Sequence, residues 1–248
     1  MAIGSVKCLV FDLDDTLWCA TDALDAAHDR MVSRLEELSP PGAEKCRDKA
    51  VFLAEMRSLK SEHPDRQHDF NFLRRTTILR LVGDEAVAQK AFSAWLAARN
   101  SPPLFPGALD ALHRLKQRGL IIGTLTDGNA DAALVPGLRE VLDFTVNAVE
   151  AGAPKPEPAP FLLCQTKASC EPTEMVMVGD SAEKDVGGAK QAGWRAIWVR
   201  PPSGRAVAGS IYDVSDGKAG HVGSEAADAS VEHVSEVEAL LDQWCQRS

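Results

Sequence analysis

Basic charge is what this sequence has little of. Against 36 Asp and Glu there are only 27 Lys and Arg, a formal net charge of −9, and no dense Lys/Arg run occurs. A nucleic-acid surface needs a basic face, so that class of partner is not expected. A phosphorylated substrate would need local basic help. Long apolar runs are also missing, which excludes a membrane span, and the first strand-like run starts at Val6, leaving no room for a signal peptide. The expectation is a soluble, cytoplasmic protein with no membrane partner.

Paired cysteines are absent as well. Cys8, Cys19, Cys46, Cys164, Cys170 and Cys245 are scattered with no C-x-x-C, which fits reduced thiols rather than a zinc site or a disulfide framework. No G-x-G-x-x-G follows the first strand-like run, and "DGKAG" near Lys218 has neither the Ser/Thr nor the strand-to-helix context of a phosphate loop. His63 and His68 lie in turn chemistry without a ligand partner at helical spacing. What remains, 45% hydrophobic and 25% charged over 248 residues, is enough for a substantial core.

Short apolar runs alternate with helical patterns. "VKCLVF" (Val6 to Phe11), "LIIGTLT" (Leu120 to Thr126), "FTVNAV" (Phe144 to Val149), "MVMVG" (Met175 to Gly179) and "RAIWV" (Arg195 to Val199) read as strands buried on both faces. "ALDALHRLKQRG" and "AEKDVGGAKQAG" read as helices that stop at Gly119 and Gly193. The pattern predicts an α/β fold, a doubly wound parallel sheet of Rossmann-like type.

One region interrupts that alternation. Between Trp18 and Asn100 only amphipathic helical spacings occur, such as Leu24, His28, Met31, Leu35 and Leu38, or Val87, Ala91, Trp95 and Ala98. Residues 18–100 are therefore expected to form an inserted α-helical cap, with 1–17 and 101–248 forming the core domain. Pro102, Pro103 and Pro106 return the chain to the sheet. Pro201 to about Ala226, rich in Gly, Ser, Ala and Asp, reads as a surface loop, followed by a short edge strand and a final helix.

"FDLDDTLW", Phe11 to Trp18, ends the first strand in three carboxylates within four residues. Residues two apart in a strand point the same way, so Asp12 and Asp14 leave its carboxyl end together, where open parallel sheets place their ligands. "TDGN" from Thr126, "KPEP" from Lys155 and "GDSAEKD" from Gly179 follow other strands and are expected at the same edge. Asp12, Asp14, Asp180 and Asp185 cannot share a small site without a cation. Oxygen donors with no His or Cys nearby point to Mg²⁺. Lys155 adds a fixed positive charge, and Thr126, with the amides of the turn at Asp127 and Gly128, offers donors to a phosphoryl group.

In order and spacing, "DLDDT", Thr126, "KPEP" and "GDSAEKD" resemble the four motifs of the haloacid dehalogenase-like hydrolase superfamily, and the resemblance runs over almost the whole chain. It implies a helical-cap phosphatase acting on a small phosphorylated metabolite. Asp12 would be the nucleophile that forms an aspartyl-phosphate, and Asp14 the general acid and then base. Mg²⁺ would sit on the Asp12 carboxylate, the Asp14 main-chain carbonyl and the Asp180 carboxylate, with Asp185 behind them orienting the metal water or Lys155. Asp15 is expected to be a turn residue. The dehalogenases of this superfamily carry a non-acidic residue where Asp14 stands, which argues against carbon–halogen cleavage. A phosphomutase using the same core, and a catalytically silent binding protein, are the alternatives. Substrate choice is expected in the cap, where Arg74 and Arg75 are candidates for contacting the leaving group, the other reading being a solvated helix face.

Overall fold

The computed structural model describes residues 6–200 and 226–246. In chain order the elements are β1 (Cys8–Phe11), α1 (Ala20–Leu38), α2 (Pro40–Arg47), α3 (Lys49–Glu62), α4 (Phe70–Val82), α5 (Glu85–Arg99), α6 (Ala108–Gln117) and β2 (Ile121–Thr126). They continue with β3 (Phe144–Asn147), α7 (Ala148–Ala151), α8 (Pro158–Ala168), β4 (Met175–Gly179), α9 (Gly188–Gln191), β5 (Arg195–Val199), β6 (Ala229–Val231) and α10 (Val237–Gln246).

The six strands make one sheet in the order β3-β2-β1-β4-β5-β6. Every pair is parallel, with Phe11 of β1 opposite Thr124 of β2 and Val178 of β4. Helices cover the sheet, which is why the central strands are apolar throughout: all four residues of β1 and all five of β4 are buried. From β1 the chain winds outward through β2 and β3, then returns to β1's other side with β4. That reversal of direction beside β1 is the topological switch point, where the carboxyl ends of β1 and β4 leave a crevice.

Two sequence expectations shift in detail. The third strand ends at Asn147 rather than Val149, because the Asn147 side chain accepts a hydrogen bond from the Glu150 amide and caps α7. The segment from Ala182 is a π-turn over Ala182–Gly187 before α9, with the amides of Asp185 and Val186 both bonding the Ser181 carbonyl. The short edge strand and the final helix are present as β6 and α10. The stretch expected to be a surface loop lies, up to residue 225, outside the described residues.

Among the described residues the chain divides into two compact units. One runs up to Cys19 and resumes at Pro103; the other is Ala20–Pro102. The helical unit has its own core, in which Met31, Leu35, Phe52, Leu59, Leu73, Ile78 and Trp95 are buried together. Three of its helices start on aspartates: Asp48, Asp69 and Asp84 accept amide hydrogen bonds from α3, α4 and α5. Gly83, at φ 79°, ends α4 in the left-handed region that a side chain would disfavour. His28 is buried there, and because its Nε2 lies 3.0 Å from the Cys46 carbonyl, that nitrogen carries the proton. All six cysteines are free thiols, four of them buried.

Candidate active site

The carboxyl end of β1 carries Asp12, whose amide bonds the Val178 carbonyl of β4 at 2.9 Å, so the strand pairing runs right up to the candidate nucleophile. Lys155 follows α7 and is almost entirely buried. Its ammonium group donates to Asp12 Oδ1 at 2.6 Å, to Asp185 Oδ1 at 2.6 Å and to the Leu125 carbonyl at 3.1 Å. Those three acceptors use all three of its protons. The π-turn aims Asp185 inward, where its other oxygen accepts the Ser181 amide at 2.9 Å.

Asp180, one residue past β4, completes the cluster. Ligand oxygens of Asp12, Asp180 and Asp185 all lie within 4.8 Å of one another. Burial pushes the Asp12 carboxyl up, with Lys155 pulling the other way and Asp185 and Asp14 adding to the rise. Burial, then Asp12 and Asp185, likewise hold Asp180 well above the usual carboxylate range. For Lys155 burial works against the charged form, but Asp12 and Asp185 outweigh it and keep the amine protonated. Three carboxylates against one lysine leave a deficit of positive charge, and an all-oxygen donor set fits a hard divalent cation such as Mg²⁺.

Asp14 is not one of the three carboxylates so grouped, though its charge acts on Asp12. Its Oδ1 accepts the indole N–H of Trp18 at 2.8 Å. Asp15, at φ 58°, turns the chain between them, and its amide bonds the Trp18 carbonyl at 2.7 Å, in keeping with a turn residue. Thr126, buried at the end of β2, accepts the Gly128 amide at 3.0 Å, so that amide is engaged locally while the threonine hydroxyl keeps its own proton to donate. Asp127 accepts the Lys155 amide at 2.8 Å and lies 3.5 Å from the exposed Lys184 ammonium. Its role here is to tie the β2 turn to the loop carrying Lys155.

Arg74 and Arg75 belong to the helical unit and differ sharply. Arg74 is buried, its guanidinium 3.9 Å above the Trp95 ring. Arg75 is exposed, 3.6 Å from Glu85 and 3.4 Å from Gln89. Two residues not singled out in the sequence also enter the site: Trp18, and Trp198 on β5, whose indole N–H donates to the Asp180 carbonyl at 2.7 Å. The signal available was general: an indole taken out of water needs an acceptor for its N–H.

A parallel sheet with an aspartate at the end of its first strand, a buried lysine and an acidic pair after the fourth defines a class of hydrolase. Residues 6–193 match the haloacid dehalogenase-like hydrolases, and the chain belongs to that family. Among solved structures, a 2-haloacid dehalogenase from Pseudomonas syringae pv. Tomato DC3000 is 31% identical, covering 96% of this chain and 99% of that one with a TM-score of 0.77. A phosphoserine phosphatase of Thermus thermophilus is 34% identical over 116 residues, but these are only 45% of this chain and 47% of that enzyme. A glyceraldehyde 3-phosphate phosphatase of Pyrococcus abyssi is 29% identical over 79% of this chain and 82% of its own length.

Proposed function

We propose that the chain is a Mg²⁺-dependent phosphatase that hydrolyses a small phosphorylated metabolite through an aspartyl-phosphate on Asp12. The observation that carries this reading is the buried Asp12–Lys155–Asp185 array with Asp180 beside it, a nucleophile held by a fixed cation next to a set of hard oxygen donors. The similarity to phosphatases over most of both chains supports it.

In this reading an Asp12 carboxylate oxygen attacks phosphorus and the bond from phosphorus to the ester oxygen breaks. Asp14 gives its proton to the departing alkoxide. The resulting Asp14 carboxylate then takes a proton from the water that attacks the phosphorus of the aspartyl-phosphate, releasing orthophosphate and restoring Asp12. Lys155 keeps Asp12 oriented and offsets the charge of the phosphoryl group, and Thr126 donates its hydroxyl to a phosphoryl oxygen. Asp12, Asp180 and the Asp14 main-chain carbonyl would hold Mg²⁺, which supplies charge neutralisation for the carboxylates and the phosphate. The helical unit, 18–100 in outline, serves as the cap, with exposed Arg75 as its candidate for contacting the leaving group and buried Arg74 packing on Trp95. The protein acts in the cytoplasm.

Carbon–halogen hydrolysis is the second reading, favoured by the likeness to the haloacid dehalogenase. Asp14 weighs against it, since an acidic group poised for proton transfer has a use with an alkoxide leaving group and none with a halide. One experiment separates the two. Orthophosphate release is followed from a panel including glyceraldehyde 3-phosphate, phosphoserine and sugar phosphates, with Mg²⁺ and with chelator, alongside halide release from 2-chloropropionate. Magnesium-dependent orthophosphate release, abolished in Asp12→Asn, is expected. Halide release instead, or phosphoryl transfer between substrates with no net hydrolysis, would replace the phosphatase reading with a dehalogenase or a phosphomutase.

A further inference from the structure

We infer that Trp18 is a positioning residue for proton transfer by Asp14, a proposal that rests on the acid and base role assigned to Asp14 above. Trp18 is wholly buried, and its indole N–H donates to Asp14 Oδ1 at 2.8 Å. The backbone closes the same loop a second time, through the Asp15 amide to the Trp18 carbonyl at 2.7 Å and a parallel bridge between Asp14 and Trp18. Trp18 is itself anchored by an antiparallel bridge to Leu104, and the Phe105 amide bonds the Leu17 carbonyl at 2.8 Å. Asp14 therefore hangs from a ring held by burial on a backbone that is itself paired on two sides.

The consequence is chemical as well as geometric. A carboxyl group has two equivalent oxygens, but an indole nitrogen only donates, so the oxygen it binds is fixed as an acceptor. Trp18 thus fixes the orientation in which the Asp14 carboxyl meets the leaving group and, later, water. A general acid whose orientation is fixed avoids the rotational search that a free carboxyl makes, and misplacement by an ångström costs up to about a hundredfold.

The test compares two leaving groups. An alkyl phosphate needs its departing oxygen protonated, whereas 4-nitrophenyl phosphate releases a stabilised phenolate and depends far less on a general acid. Trp18→Phe keeps most of the ring and removes the N–H. Its kcat/KM, which reports formation of the phosphoenzyme, is expected to fall about 10- to 100-fold for the alkyl ester and several-fold less for the nitrophenyl ester. Replacing Trp18 with the sulfur isostere benzothienylalanine, which has the indole's shape but no N–H, should give the same split even where the phenylalanine variant folds poorly. Asp14→Asn is the reference. If Asp14→Asn shows the split and neither Trp18 variant does, the role of Trp18 is overturned while that of Asp14 stands. If Asp14→Asn depresses both esters alike, Asp14 is not the acid and both readings fall.

Discussion

The Asp185 carboxylate occupies the space where a side chain at Gly179 would begin: a Cβ built on Gly179 would lie 2.3 Å from Asp185 Oδ2. The last residue of β4 is therefore glycine so that Asp185 can reach Lys155 at 2.6 Å. Gly179→Ala must displace Asp185 and with it one of the two carboxylates that hold the lysine. A loss of about 1–3 kcal/mol in stability and roughly 100-fold in kcat is expected, read by urea unfolding and phosphate release.

Lys155→Met leaves Asp12 and Asp185 buried side by side without their cation. Removing one partner of a buried pair costs about 3–5 kcal/mol, and turnover should fall by about a thousandfold or more. If the variant keeps the wild-type unfolding midpoint, Lys155 is not the charge that holds the cluster together.

Trp198 meets the site through the Asp180 carbonyl. Trp198→Phe should weaken Mg²⁺ binding about 10-fold, seen by titrating activity against free Mg²⁺, with near-normal kcat at saturating metal. An unchanged Mg²⁺ dependence would show that the indole packs without orienting the Asp180 loop.

His28 gives the helical unit a pH signature. Burial, reinforced by Lys49 and Arg74, lowers its pKa to about 4 from an ordinary 6.5. The folded form keeps the ring neutral, so between those values the unfolded chain binds more protons, and stability present above pH 6.5 is lost as pH falls to 4. The ceiling on this loss is about 3 kcal/mol. His28→Gln, whose amide can still donate to the Cys46 carbonyl, should flatten the pH dependence of chemical unfolding over that interval.

Arg74 and Arg75 separate packing from surface. Arg74→Ala removes a buried guanidinium stacked on Trp95 and should cost about 2 kcal/mol, whereas Arg75→Ala should stay within about 0.5 kcal/mol. If the double substitution changes neither turnover nor apparent affinity for the best substrate, neither arginine selects the leaving group.

The strands and the helical insert were legible because a doubly buried strand must be apolar and a surface helix must alternate at three and four residues. Lys155 and Asp185 were legible as charges in motifs following strand-like runs. The resemblance already implied that Asp185 orients Lys155 or the metal water, but the π-turn that delivers it was hidden, since it depends on Ser181 and on the empty Cβ position at Gly179. The opposite fates of Arg74 and Arg75 were equally hidden: adjacent helical residues point 100° apart, and only the placement of Trp95 decides which is buried. Trp18 and Trp198 stayed unnoticed as site residues because an indole's ring carries the hydrophobic signal while its single N–H carries none.

The parallel register sets an order of events during synthesis. Asp12 emerges early, yet Lys155, its partner at 2.6 Å, follows 143 residues later, and β4 lies beyond that. A ribosome-bound chain that has just completed the helical unit holds Asp12 with no counter-charge and a β1 flanked by neither neighbour. Such long loop closures make folding slow. The helical insert, with its own core of local contacts, can form during that wait. No amino-terminal fragment should bind metal or be phosphorylated, so activity regained during refolding is a clock for completion of the whole sheet.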